Sequence, residues 1–202
     1  TCSGGGGRVD LGMLRLADQA WISDNTEPTA RLNIQEGYSQ IFPACTMEAW
    51  VTDMGADYLP LEFRMHVSMC GALGIGGHLA HWGAERRAEA ARWITRYKEI
   101  RPIIQFGDLY RLRSAQQNPF SALMYVNKDR QEAVLFAFRT HQPLLPQIEP
   151  QPPIYPRGLD PKARYAIEGF EQVRSGLGWM RTGIELVLAD YQSTILHFRQ
   201  VV

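Results

Sequence analysis

The stretch QAWISDNTEPTARLNIQEGYSQIF, residues 19–42, decides how the rest of the chain is read. Its first five residues form a short apolar run, closed by the polar cluster Ser23-Asp24-Asn25-Thr26. Pro28 follows, and proline suits the first turn of a helix because the N–H it lacks would go unused there. TARLNIQEGYSQIF then carries a helical pattern. A strand, a polar turn and a helix in succession make one unit of an α/β fold.

Working outward, FRMHVSMCGALGIG (63–76) is mainly apolar without alternation. It is expected to be a strand buried on both faces that runs into a glycine-rich turn. GAERRAEAARWITRYKEIR (83–101) is the clearest helix, with Ala84, Ala88, Ala91, Ile94 and Tyr97 recurring at steps of three or four. Pro102 is expected to end it. This alternation predicts a parallel sheet or a (β/α) barrel over residues 1–107. From residue 108 the pattern changes. SALMYVNKDRQEAVLFAFRT reads as a hairpin turning at Asn127-Lys128-Asp129-Arg130. The proline-rich connector 142–161 excludes a helix. ARYAIEG, GIELVLA and STILHFRQVV supply further strands, so residues 108–202 read as a small antiparallel β domain.

The 202 residues carry 21 basic and 21 acidic side chains with no long run of either sign, which argues against nucleic acid or an anionic membrane as partner. No apolar run approaches a membrane span. Cys2, Cys45 and Cys70 are odd in number and widely spread, unlike a disulfide framework.

Several residues are candidates for chemistry. TCSGGGGRVD (1–10) lacks the Lys-Ser/Thr that a phosphate loop needs after its glycines. The RVDLGML that follows is too hydrophobic for a flexible spacer. What remains is a loop whose backbone approaches something closely, either an active-site loop or merely a tight one. The cluster around Asp24 reads as a helix N-cap, or as the C-terminal mouth of a barrel strand, where catalytic residues of such barrels project. Both hold together if Asn25 or Thr26 caps while Asp24 faces the mouth. His78 and His81 have no cysteine or carboxylate partner at metal-ligand spacing, so no metal is expected and a structural role or packing beside a substrate is the reading. Trp21, Trp50, Trp82 and Trp93 suit a core, or stacking on sugar faces. No Ser/His/Asp spacing is present.

CSGGGGRVDLGML, WISDNTE and PLEFRMHVSMCGALG occur in this order, followed by YKEIRPIIQFGDLYRL and ALMYVNKDRQEAVLFAF. Together they closely resemble the α-galactosidases of glycoside hydrolase family 36, over essentially the whole chain. The resemblance implies an α/β fold: the C-terminal part of a (β/α)8 TIM barrel in 1–107, then an antiparallel β-sandwich domain in 108–202. It implies a retaining hydrolase acting on α-galactoside oligosaccharides of the melibiose or raffinose type, without cofactor or metal. The parent protein is expected to be a cytoplasmic homo-oligomer, a tetramer. Asp24 matches the family's general acid/base, in the loop after the seventh barrel strand. Cys2, Gly4 and Gly5 match the loop after the sixth, which contacts the galactose ring. Glu27 stands where the family often has Asp. The family's nucleophilic aspartate, in a Lys-Trp-Asp motif after the fourth strand, has no counterpart here. Retaining hydrolysis needs two carboxyl groups about 5–5.5 Å apart, so the chain by itself is expected to be inactive. An α-N-acetylgalactosaminidase is the alternative, differing at the wall that the Cys2 to Gly5 loop forms around the sugar's 2-substituent. A non-catalytic carbohydrate-binding or oligomer-forming fragment is another. Residues 108–202 are expected to hold together better than the incomplete barrel, whose sheet edge is exposed.

Overall fold

A computed structural model describes residues 9–53, 58–141 and 151–201. The chain divides into two compact units, Thr1–Arg101 and Pro102–Val202.

In the first unit β1 (Ala20–Trp21), α1 (Pro28–Tyr38), β2 (Met47–Val51), α2 (Leu61–Met69) and β3 (Ala72–Ile75) follow one another. The strands are parallel in the order β1-β2-β3, with Trp21 opposite Glu48 and Val51 opposite Ile75. Parallel neighbours need a crossover, which α1 and α2 supply. All three strands therefore end on the same edge of the sheet, and the loops that follow them gather there.

The sequence expectation of one strand over 63–76 is overturned by α2. Of its nine residues only Glu62 is exposed. An apolar run without period two does not separate a fully buried strand from a fully buried helix. Straight-chain Leu, Glu, Arg and Met favour the helix. At Gly71 a Cβ would lie 2.5 Å from the Met47 carbonyl oxygen, so glycine lets the chain turn tightly into β3. β2 had no counterpart in the sequence expectations.

The long helix α3 (Ala84–Phe106) also differs, because it runs through Pro102 rather than stopping before it. An interior proline costs a helix about 3 kcal/mol. The turn beyond it buries Ile103 and Ile104, each worth about 1.5–3 kcal/mol, and the Gly107 N–H closes on the Ile103 carbonyl at 2.9 Å. Tyr97 pins this helix to β3: its hydroxyl donates to the Gly71 carbonyl (2.8 Å) and accepts from the Leu73 N–H (3.2 Å).

The second unit contains a six-stranded sheet of β4 (Asp108–Arg113), β5 (Phe120–Val126), β6 (Glu132–Arg139), β7 (Arg164–Ile167), β8 (Val173–Ser175) and β9 (Ser193–Val201), in the order β4-β5-β6-β9-β7-β8. Every pairing in it is antiparallel. The β5–β6 hairpin turns where the sequence predicts, with Arg130 at φ 60° and its carbonyl accepting from the Tyr165 hydroxyl at 2.6 Å. One face of the sheet packs Met124, Leu135, Tyr165, Phe198 and Trp179, the last from the short helix α4 (Gly176–Thr182). GIELVLA does not form the expected strand. Ile184 makes a single bridge to Ile154. Further along, the Gln151 side-chain amide takes the place of a neighbouring strand, accepting from the Leu188 N–H and donating to its carbonyl. Cys45 and Cys70 are free thiols, and burial pushes Cys70 well above its usual range, which leaves it inert.

Candidate active site at the end of the parallel sheet

The loop after β1 is built by its own side chains. The Ser23 hydroxyl accepts from the Asn25 N–H (3.1 Å), and the Asn25 side-chain oxygen accepts from the Glu27 N–H (3.1 Å). Glu27, rather than Asn25 or Thr26, is the N-cap of α1: its carboxylate accepts from the N–H groups of Thr29 (3.1 Å) and Ala30 (2.7 Å) and from the Thr29 hydroxyl. The Tyr58 hydroxyl donates to it as well, at 3.0 Å. Burial pushes the Glu27 carboxyl up, but these four hydrogen bonds outweigh burial and hold it below the usual carboxylate range.

Asp24 stands apart from this arrangement. It is exposed, three residues past the end of β1, and among the described residues nothing hydrogen-bonds its carboxylate. Its neighbours fix the backbone and leave its side chain to solvent.

Arg31 of α1 sets the position of the strand end. Buried to 2 % exposure, it donates to the Ser23 carbonyl (3.1 Å) after β1 and to the Glu48 carbonyl (2.9 Å) in β2, and lies 4.8 Å over the Trp50 ring. Burial lowers its pKa to about 10, against the pull of Glu48, so it remains a cation at neutral pH. Trp21 and Trp50 are in ring contact beside it. Of the four candidate tryptophans, Trp50 and Trp82 are core, as the simpler reading has it.

The loop after β2 holds a residue that sequence reasoning missed. Asp53 accepts from the His78 N–H (2.8 Å), from the Trp82 indole N–H (2.9 Å) and from Arg86 (3.0 Å), with Arg64 at 3.9 Å. Burial raises its pKa, but the Trp82 and His78 hydrogen bonds and the two arginines together hold it below the usual range. Arg86 in turn lies 4.5 Å over the Trp82 ring. At Gly77 a Cβ would meet the Asp53 carboxylate at 2.6 Å, so glycine lets the loop after β3 close on that carboxylate without displacing it. A lone Asp after an unrecognised strand carries no motif; the signal available was Val51-Thr52-Asp53 closing an apolar run.

His78 and His81 lie in that third loop, His78 just before a 3₁₀ turn (Leu79–His81) and His81 at its end, with rings 5.4 Å apart and stacked. Cys2, Gly4 and Gly5 lie outside the described residues. Among the described residues no group of three or more His, Cys, Asp or Glu could hold a metal ion, and no helix is long and apolar enough to cross a membrane.

An exposed acid at the C-terminal end of a parallel strand, on a self-braced loop, is an arrangement that can deliver a proton to a bound substrate. Comparison with known proteins agrees with the fold. Residues 1–107 match the family described as Melibiase, and residues 120–198 match the glycosyl hydrolase family 36 C-terminal domain. The probable α-galactosidase C of Aspergillus oryzae is 32% identical over 98% of this chain and 27% of its own length. The α-galactosidase AgaA of Geobacillus stearothermophilus is 35% identical over 92% of this chain and 26% of its own. Among solved structures, the family 36 α-galactosidase AgaB of G. stearothermophilus matches with a TM-score of 0.90 at 34% identity, covering 99% of this chain and 28% of that one. A variant of AgaA in complex with raffinose matches with a TM-score of 0.90 at 33% identity, over 99% and 28%. The chain thus spans about a quarter of the length of these relatives.

Proposed function

The chain belongs to the melibiase family, the α-galactosidases of glycoside hydrolase family 36, and from that premise we propose that it is the C-terminal quarter of a retaining α-galactosidase in which Asp24 is the general acid/base. The observation that carries this reading is the Asp24 carboxylate, exposed and without a partner among the described residues at the end of a parallel strand, while Glu27 takes over the capping of α1. In the reaction, a carboxylate from an earlier strand attacks the anomeric carbon as the Asp24 proton passes to the glycosidic oxygen and the C–O bond breaks. Asp24, now ionised, then takes a proton from the water that displaces the enzyme carboxylate, releasing galactose and restoring the protonated Asp24 and the free nucleophilic carboxylate.

On this reading residues 1–107 are the end of a (β/α)8 barrel. An eight-stranded barrel that finishes on β3 makes β1 its sixth strand, one earlier than the sequence reading had it, because β2 carried no legible pattern. Cys2, Gly4 and Gly5, which precede β1 in the sequence, are on this reading galactose-contacting residues. Galactose, rather than its 2-acetamido analogue, is supported by the relatives, which are named α-galactosidases. Oligosaccharides of the raffinose type are supported by the complex of AgaA with raffinose.

The test uses the full-length polypeptide. Asp24→Asn is expected to lower kcat/KM on melibiose by about 10²–10⁴-fold, and much less on a dinitrophenyl galactoside, whose leaving group needs no proton. Equal loss on both would remove Asp24 from the acid role. Hydrolysis of nitrophenyl N-acetylgalactosaminide faster than of the galactoside would overturn the choice of sugar.

A further inference from the structure

We propose that the loop between β3 and α3, residues 76–83, presents His78 and His81 as a binding ledge for the sugar on the leaving-group side of the cleaved bond. This rests on the α-galactosidase reading above and adds to it the residues that would select the substrate's second sugar.

Three observations lead there. First, the loop is latched at both ends. Asp53 takes the His78 N–H at the start and the Trp82 indole at the finish, and Arg87 donates to the Trp82 carbonyl at 2.6 Å. Gly77 is so close to Asp53 that a Cβ there would displace the carboxylate. Such bracing fixes residues 78–81 in place, at a cost in backbone freedom, without burying anything between the latches. Second, the bracing holds up two polar rings that are unused. His78, Leu79, Ala80 and His81 are all exposed, the two imidazoles stack on each other, and neither ring has a hydrogen-bond partner among the described residues. A neutral imidazole offers one donor and one acceptor, which matches a sugar hydroxyl, and its flat face suits the C–H face of a pyranose.

Third, the position is right for a neighbour of the bond being cleaved. The strands run β1-β2-β3 in parallel, so His78, three residues past β3, lies at the same edge as Asp24, three residues past β1. Two strand spacings separate the strand ends, ~10 Å. That leaves room for a sugar unit to run from the acid toward the histidines.

The experiment compares two substrates of the full-length enzyme. Raffinose has a sugar leaving group; α-galactosyl fluoride has none. In the His78→Ala/His81→Ala variant the ratio of kcat/KM on raffinose to kcat/KM on the fluoride is expected to fall about tenfold, the loss of one or two good hydrogen bonds. A His78→Gln/His81→Gln variant keeps hydrogen-bonding capacity and should lose less of that ratio. An unchanged ratio in both variants, whether the separate values fall together or stay put, would overturn the ledge. A parent enzyme inert toward the fluoride as well as raffinose would instead overturn the α-galactosidase reading, and the ledge with it.

Discussion

In the second unit β5 pairs with β6 from Phe120 to Val126, and β6 with β9 from Glu132 to Phe138, over a face packed with Met124, Leu135, Tyr165, Trp179 and Phe198. In the first unit β1 meets β2 at only Ala20 and Trp21, and β2 meets β3 from Glu48 to Val51. The short ladders of the first unit are supplemented by side chains. Arg31 ties β1 to β2, Tyr97 ties α3 to the start of β3, Gln35 donates from α1 to the Val67 carbonyl in α2 at 3.0 Å, and Asp53 gathers the loops. Both units bury apolar residues, Ala49, Val51, Phe63 and Met65 among them in the first; one sheet adds long ladders, the other adds directional polar bonds at a few residues. Directional bonds place strand ends and loops accurately, which a site needs, and they make the placement sensitive to charge.

Substitutions in each unit can break this contrast. Trp179→Ala should have the largest effect, about 3–5 kcal/mol, because it empties a contact with Phe170 and Phe198 and removes the bond to the Tyr165 carbonyl. Hydrogen exchange should quicken in β6 and β9 and not in β2. Arg31→Ala should cost about 3 kcal/mol, since it removes two charge-assisted hydrogen bonds and leaves the Ser23 and Glu48 carbonyls without that donor. Exchange should then quicken in β1 and β2 while β5 and β6 keep their protection. If either variant loosens both sheets alike, the contrast fails.

Acid sharpens it further. Burial, and then Arg96, push His66 down to about 3. Its folded value lies below the unfolded one of about 6.5, so its neutral ring supports the fold fully above that pH and progressively less as pH falls toward 3. Between about pH 7 and pH 5 the first unit should lose about 2 kcal/mol, measured by denaturant titration, and His66→Leu should flatten that slope. The smallest effect is expected from Glu27→Ala, about 1 kcal/mol for a lost cap, seen as a small fall in the melting temperature of the first unit. Glu27 is also held below its usual range, so its share persists at neutral pH and is lost as pH falls below about 4.5.

Much of this was legible in the sequence where one signal was enough. The hairpin at Asn127–Arg130 and the body of α3 follow from turn chemistry and from a helical period. The α2 segment was misread because burial on all sides erases the period that tells helix from strand. Pro102 was misread because its local cost is outweighed by burial of Ile103 and Ile104, which no local rule sees. GIELVLA has the alternation of a strand, but its neighbours are a single residue, Ile154, and a glutamine amide. In the site, Asp24, the proposed acid/base, stands out through its motif. Asp53 does not, because its importance comes from donors 25 to 33 residues further along the chain.

The cap on α1 has a consequence for how the site came to be divided. A helix start offers unpaired N–H groups and a partial positive charge, and any acid within reach is drawn to them. Glu27 meets that demand, and Asp24, three residues earlier, is spared it. On the proposed reading, two acids of one loop have opposite duties, Glu27 to the architecture and Asp24 to whatever enters from solvent. The longer reach of a glutamate, at a place where the family often has aspartate, is compatible with the first duty and leaves the second untouched.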